Sequence, residues 1–387
     1  MNTQRSEPPA RARLIGDVPG PDAVAPLLAM AQRALPLMYR PDIMQFVQTV
    51  RPDPSAVTGV RGEGTNLRYA AIVALGAAWL DIDAQRAMLA GSSAAQLAET
   101  VARQARDQAD LGAVALAAWA AAEVGEVADT ALLDRLVHTV EAEQPVPTVD
   151  FAWTLTALLA ARKFRELSEP AERAATRLRL SQGAMGVFPH ALPRHSLGNH
   201  RAHVGCFADQ VYPIQALARH HAATAEPQSL AAAERCAAQI VRLQGDAGQW
   251  WWHYDVRTGD VVEGYPVYSV HQHAMAPMAL LDLYEAGGAD HRSAITAGLS
   301  WLQNHPEAAG TLFDESSGVI WRKIGRREPR KAVRSIRSMS TALWPGLRLG
   351  LLDRVFPPSV IDHECRPYEL GWLLYAWLAS GIVGARS

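Results

Sequence analysis

The sequence predicts an all-α chain closed into a ring of helical hairpins. Three observations carry this. About a dozen segments repeat apolar residues at helical spacing, and almost none alternates with the period of two that a half-buried strand needs. The third is an internal repeat: a helix, then Gln, a short turn, Gly and an aromatic. It reads as Gln182, Gly186, Phe188, again as Gln244, Gly248, Trp250, and more loosely as Gln303, Gly318, Trp321. The copies recur about 60 residues apart, the size of one hairpin with its loops. A helix that buries one stripe must pair with a neighbour, and a ring of such pairs closes a core.

The elements follow in order. Residues 1–20, rich in Pro and Gly, read as a flexible leader, and 21–387 as one domain. A first helix is expected over 22–37, ended by a loop with Pro52, Pro54, Gly59, Gly62 and Gly64. The second, 65–80, carries Leu67, Ala71, Ala74, Leu75 and Ala78 on one face. Ala-rich helices follow near 92–107, 110–124, 129–143 and 150–164, the last with Asp150 at its start as a cap. The second half repeats the pattern near 168–181, 207–222, 229–244, 269–286, 290–304, 330–350 and 364–380.

Composition narrows the function. The chain has 387 residues, 49% hydrophobic and 20% charged, an ordinary globular balance. A net charge of −2 gives no bulk attraction to nucleic acid or to an anionic membrane. Cys206, Cys236 and Cys365 are odd in number and widely spaced, so they form neither a disulfide framework nor a CxxC zinc site. The N-terminal stretch has no apolar h-region and no apolar run reaches spanning length, so a cytoplasmic protein is expected.

The densest stretch is Trp250-Trp251-Trp252-His253-Tyr254, followed by a helix with His271 and His273. Consecutive side chains point in different directions, so the three tryptophans cannot share one core. At least one is expected to line a pocket, with Tyr265, Tyr268 and His271 nearby. Aromatic faces beside polar groups suit a sugar ring, which stacks its apolar face and hydrogen-bonds its hydroxyls. They suit a carbocation equally well.

The Gln-x-x-x-Gly-x-Trp element resembles the QW-type repeat of the terpenoid cyclase and protein prenyltransferase superfamily. Length and hairpin number are similar to the (α/α)6 barrels of sugar epimerases, polysaccharide lyases and six-hairpin glycosidases. The resemblance implies an (α/α)6 toroid, with Trp250 tying helices together. It also implies what to look for. The Asp-x-Asp-Asp acid of class II cyclases is absent, and the prenyltransferase zinc ligands have no clear counterpart. Asn199 and His200, with Tyr212 downstream, resemble the Asn/His/Tyr sets of (α/α) lyases.

The His190–His203 loop, which carries His190, His195, His200 and His203, suits proton transfer, since imidazole titrates near neutral pH. No carboxylate or thiol stands at ligand spacing from these histidines, so neither a metal nor another cofactor is expected. The basic run after Trp321 would place Arg330, Arg334 and Arg337 on one helical face, able to grip a carboxylate or phosphate. Arg68, and the Glu364 to Tyr368 cluster with Arg366, precede helices and could reach a rim.

The expected function is action on a polar or anionic saccharide by His/Tyr proton transfer, epimerase-like or lyase-like. His200 or His271 is the base and Tyr212 or Tyr268 the acid. Trp251 and Trp252 stack the sugar, Arg330 or Arg334 holds a negative group, and Arg68, Asn199, His253, Tyr265, Glu364 and Arg366 complete the contacts. These clusters are expected to meet at one rim. The alternatives are a terpenoid-cyclase or prenyltransferase relative without the usual acid, and a non-catalytic toroid that binds a glycan or protein.

Overall fold

A computed structural model of the chain describes residues 11–12, 21–198, 200–379 and 381. The first half holds α1 (Pro21–Met38), α2 (Leu67–Ala77), the short α3 (Ile82–Met88), α4 (Ala94–Ala105), α5 (Leu111–Glu123), α6 (Thr130–Glu141) and α7 (Thr148–Ala161). The second holds α8 (Ser168–Ser181), α9 (Ala208–Thr224), α10 (Pro227–Arg242), α11 (Ala276–Glu285), α12 (Arg292–Asn304), α13 (Ala332–Leu343), α14 (Leu351–Val355) and α15 (Pro367–Leu378).

Burial divides them into two layers. Helices α2, α5, α7, α9, α11 and α15 are buried at nearly every position, as Gly112 to Ala122 of α5 illustrate. A helix apolar all round belongs inside a core. Helices α1, α4, α6, α8, α10 and α12 bury one stripe only, as in Leu132, Leu133, Leu136 and Val140 of α6. Inner and outer helices alternate along the chain. The inner six contact one another in sequence, and α15 closes the ring on α2.

That closure depends on two glycines. A Cβ on Gly76 of α2 would lie 2.2 Å from the Gly371 carbonyl oxygen of α15. The two backbones meet where no side chain fits.

The repeated element has a structural cause. Gln182 Nε2 donates to Gly186 O at 2.7 Å and to Ala232 O of the next outer helix at 2.8 Å. Gln244 Nε2 does the same with Gly248 O at 2.7 Å and Ala294 O at 2.9 Å. Gly186 (φ +90°) and Gly248 (φ +96°) need positive φ, and a Cβ on Gly248 would meet Ala297 O at 2.0 Å. The third copy does not make this clamp: Gln303 is exposed.

Three expectations need correction. Arg11 and Ala12, assigned to a flexible leader, are helical and buried, and Arg11 bonds Asp282 and Glu285. The predicted 269–286 helix opens with a π-helical turn, His271–Met275. The rim loops also contain short strands that the sequence hides, because two to five residues are too few to show a period. Two sheets position the site: β1 (Val204–Cys206), β2 (His253–Asp255) and β3 (Val261–Glu263), then β4 (Val267–Tyr268), β5 (Lys323–Arg326) and β6 (Pro358–Asp362).

A buried ion network plugs the barrel at the C-terminal ends of the inner helices. Arg219 Nε donates to Asp282 Oδ2 at 2.7 Å, and Arg219 Nη2 to the Tyr375 hydroxyl at 2.7 Å. Tyr375 donates to Glu123 at 2.6 Å, and Arg11 to Asp282 at 2.5 Å. Charges this deep persist only when paired. No helix among the described residues is long and apolar enough to cross a membrane.

Candidate functional site

The opposite end of the ring is open. Arg68 of α2, Trp153 of α7, Tyr212 of α9 and Tyr368 of α15 all stand in the first two turns of inner helices. They line one central cavity of about 390 Å³, together with Asn66, Tyr69, Trp252, Tyr268, His271, Arg322 and Arg366. The inner helices therefore direct their N-terminal ends at the cavity, and those ends carry partial positive charge.

Three guanidinium groups reach this space, and each is held from behind. Arg322 donates to Glu369 at 3.2 Å and to Glu364 at 3.3 Å. Arg366 donates to the Tyr69 hydroxyl at 3.2 Å and to Glu364 at 3.3 Å. Arg68 bridges two acids: Nε donates to Asp110 Oδ2 at 2.7 Å and Nη1 to Asp150 Oδ1 at 2.9 Å. Asp110 caps α5 and Asp150 sits in the first turn of α7. A Cβ on Gly112 would lie 2.4 Å from both Arg68 Cζ and Asp150 Oδ1, so glycine is required there.

The two acids are pushed apart. Burial raises the Asp150 carboxyl above its usual range, and Arg68 offsets only part of that. Burial also acts to raise Asp110, but its side chain is 43% exposed and the hydrogen bonds and charge of Arg68 bring it below its usual value. Carboxyls held in such contrasting environments are how one site carries an acid and a base at one pH.

The aromatic wall centres on Trp252. It lies parallel to His271 (10°, centroids 5.8 Å apart) and 4.8 Å from Tyr268. Arg322 sits 5.1 Å over Tyr268, and Arg68 5.5 Å over Trp153. Burial drives the proton affinity of His271 well below normal, with Arg322 adding to the effect, so its ring is neutral. Burial raises the Tyr212 hydroxyl, which stays protonated.

No protein-family model matches the chain, and no curated protein matches its sequence. Solved structures do. An unsaturated glucuronyl hydrolase specific for heparin is similar with a TM-score of 0.57 and 13% identity, over 92% of this chain and 96% of its own. An unsaturated glucuronyl hydrolase from Bacillus sp. GL1 is similar at 0.56 and 14%, over 92% and 95%. The enzyme from Streptococcus agalactiae follows at 0.51 and 7%, over 92% and 90%. The chain is an (α/α)6 toroid. Identity this low shares a fold and leaves the chemistry to this toroid's own residues.

The toroid gathers some of the expected residues and separates others. Arg68, Tyr212, Trp252, Tyr268, His271 and Arg366 share the central cavity, while His273 lies outside it. His200, His253 and Arg334 line an adjoining cavity of about 590 Å³, and Trp252 is the wall between the two. Trp251 and Tyr265 belong to neither. They line a third space of about 460 Å³, where Trp251 Nε1 donates to Leu243 O at 2.7 Å and Tyr265 donates to Glu307 at 3.0 Å. Glu364 lines none of these three cavities; it is buried and holds Arg51, Arg322 and Arg366. Asn199 and the Arg330 side chain lie outside the described residues. A larger groove of about 860 Å³ runs beside α6 and α8, lined by Glu141, Glu172, Arg173 and Arg177 among others.

The sequence reading missed Trp153 and Arg322 as cavity residues, and missed Asp110 and Asp150, the latter taken for a cap, as the acids that hold Arg68. A signal existed: Asp110 and Asp150 each open a helix with no polar face, so their side chains end at the toroid's rim.

Proposed function

We propose that the toroid is a carbohydrate-active enzyme that binds an acidic saccharide in the central cavity and hydrolyses its glycosidic bond. The observation that carries this is the cavity's chemistry: three guanidinium groups and a wall of aromatic rings, with the Asp110 and Asp150 carboxyls held against Arg68 just outside the lining. Guanidinium pairs with a sugar carboxylate through a bidentate fork, and aromatic faces stack the ring. Asp150, which keeps its proton more readily, gives it to the departing glycosidic oxygen. Asp110, ionised and open to solvent, takes a proton from the attacking water. Neutral His271 serves as a hydrogen-bond partner to a sugar hydroxyl, because so weak a base removes protons poorly. The similarity to unsaturated glucuronyl hydrolases agrees with an acidic sugar.

The guanidinium groups weigh against a terpenoid substrate, since a hydrocarbon would strip water from them and offer no polar partner in return. The buried side chains in its lining, Tyr212 and His271 among them, weigh against a flat glycan-binding rim. A second reading has one observation in its favour: Tyr212, Tyr268 and His271 share the cavity, the set that proton transfer at a sugar carbon would use.

The test uses disaccharides ending in a uronate and in the matching neutral sugar. Arg322→Met should weaken binding of the uronate by about 10- to 100-fold, the worth of a charge-assisted bond of about 1.5–3 kcal/mol, and leave the neutral sugar unchanged. Asp150→Asn should lower turnover by about 10²–10⁴-fold with little change in binding. Deuterium entering a sugar carbon without bond cleavage would favour the second reading. Equal loss of both sugars in Arg322→Met would end the acidic-saccharide assignment.

A further inference from the structure

The adjoining cavity holds a group that the hydrolytic reading does not use. His190, Cys206 and Asp209 come from three elements. His190 lies in the loop after α8, Cys206 ends β1, and Asp209 is in the first turn of α9. One ligand atom from each, an imidazole nitrogen, the thiol sulfur and a carboxylate oxygen, lies within 4.8 Å of the others. The sequence offered no thiol or carboxylate at ligand spacing from the His190–His203 loop. The fold supplies both.

We infer that His190, Cys206 and Asp209 form a binding site for a zinc-like divalent cation, opening on the cavity behind Trp252. This goes beyond the saccharide reading and does not depend on it.

Four observations support it. The backbone fixes His190 from both sides: its N–H donates to Val204 O at 3.2 Å, and its carbonyl accepts from Thr148 N at 3.1 Å. Asp209 Oδ2 is committed, lying 2.8 Å from His190 Nδ1 and accepting from Cys206 N at 2.6 Å. Asp209 Oδ1, on a fully buried side chain, has no hydrogen-bond partner. A buried carboxylate oxygen without a partner is costly, and a cation would satisfy it. Finally, His253 lies directly opposite Cys206 across the β1–β2 ladder, so both side chains leave the same face, and its Nδ1 is also unpartnered. His253 and His200 line the cavity with His190 and Cys206, and solvent in that cavity would complete a tetrahedral set.

The donor set selects the ion. Thiolate, imidazole and carboxylate together suit a borderline cation in tetrahedral geometry better than magnesium or calcium, which prefer oxygen alone. The ligand is the thiolate, so binding releases the Cys206 thiol proton to solvent as the sulfur–metal bond forms.

The test titrates Co²⁺ into the full-length protein after chelator treatment and dialysis. A thiolate ligand gives a sulfur-to-cobalt charge-transfer band, and tetrahedral geometry gives strong visible bands. Both should appear and saturate at one equivalent. Cys206→Ser should abolish the charge-transfer band, while Cys236→Ser, which alters another buried thiol, should keep it. His190 is not deeply buried, so His190→Ala leaves the core packing intact and should weaken Co²⁺ binding by more than about tenfold. Three results would overturn the assignment: no charge-transfer band in the wild type at saturating Co²⁺, a band that survives Cys206→Ser, or an unchanged affinity in His190→Ala.

Discussion

At the scale of single residues, the barrel mouth is governed by how each charge is held. Glu369 is fully buried in the first turn of α15, where it accepts from Arg322. Burial raises its carboxyl to about 7, against the opposing pull of Arg322 and Arg366. The folded chain therefore binds this proton more tightly than the unfolded chain does. The stability linked to Glu369 is complete below its unfolded value and declines as pH climbs to about 7. From 4.5 to about 7 the change is of order 3 kcal/mol. Glu369→Gln removes that titration. The melting-temperature difference between variant and wild type should shift in the variant's favour from pH 5 to pH 8. A difference that stays constant over that range would show that Glu369 titrates normally.

At the scale of elements, the outer helices are tied by a side-chain clamp rather than by packing alone. Gln182 and Gln244 each reach two carbonyls, one in their own turn and one on the next outer helix. Gln244→Ala should cost about 1–3 kcal/mol, because both carbonyls lose their donor. Gln303→Ala, in the copy without the clamp, should stay within about 0.5 kcal/mol of the wild type. Gly248→Ala should be worse than either, combining left-handed backbone with a collision on Ala297 O. Chemical denaturation of the three variants checks the order. Equal effects for Gln244→Ala and Gln303→Ala would mean that the repeat is a sequence accident.

At the scale of the whole molecule, the ring has one seam, where the last inner helix meets the first. Gly76 and Gly371 let α2 and α15 touch backbone to backbone. Gly76→Val forces them apart and should cost about 3 kcal/mol or more, as overpacking does. All six inner helices share the core, so opening the seam should loosen the molecule as a unit. Tryptophan fluorescence and far-ultraviolet circular dichroism should shift together on denaturation. If fluorescence alone moved, the seam would be a local contact and not the closure of the ring. The same ring geometry explains why the site is at one end: alternating inner and outer helices bring every inner N-terminus to one rim.

The sequence by itself determined the helices and the ring. Helical period is a local property, and a helix such as α5, with no polar face, has to lie inside whatever fold forms. The ends of α8 were legible to the residue. The Gln-Gly-aromatic repeat was legible too, because its first two copies act within one hairpin and the start of the next. Only the tertiary structure decided which residues share a cavity. Trp251 and Trp252 are adjacent in the chain, yet only Trp252 faces the centre, because β2 begins directly after it and sets its direction. Arg68, Asp110 and Asp150 open three successive inner helices, and no spacing rule joins them. Their meeting is fixed by closure of the ring. His190, Cys206 and Asp209 converge for the same reason, since a β-ladder and a helix start bring together groups that local patterns keep apart.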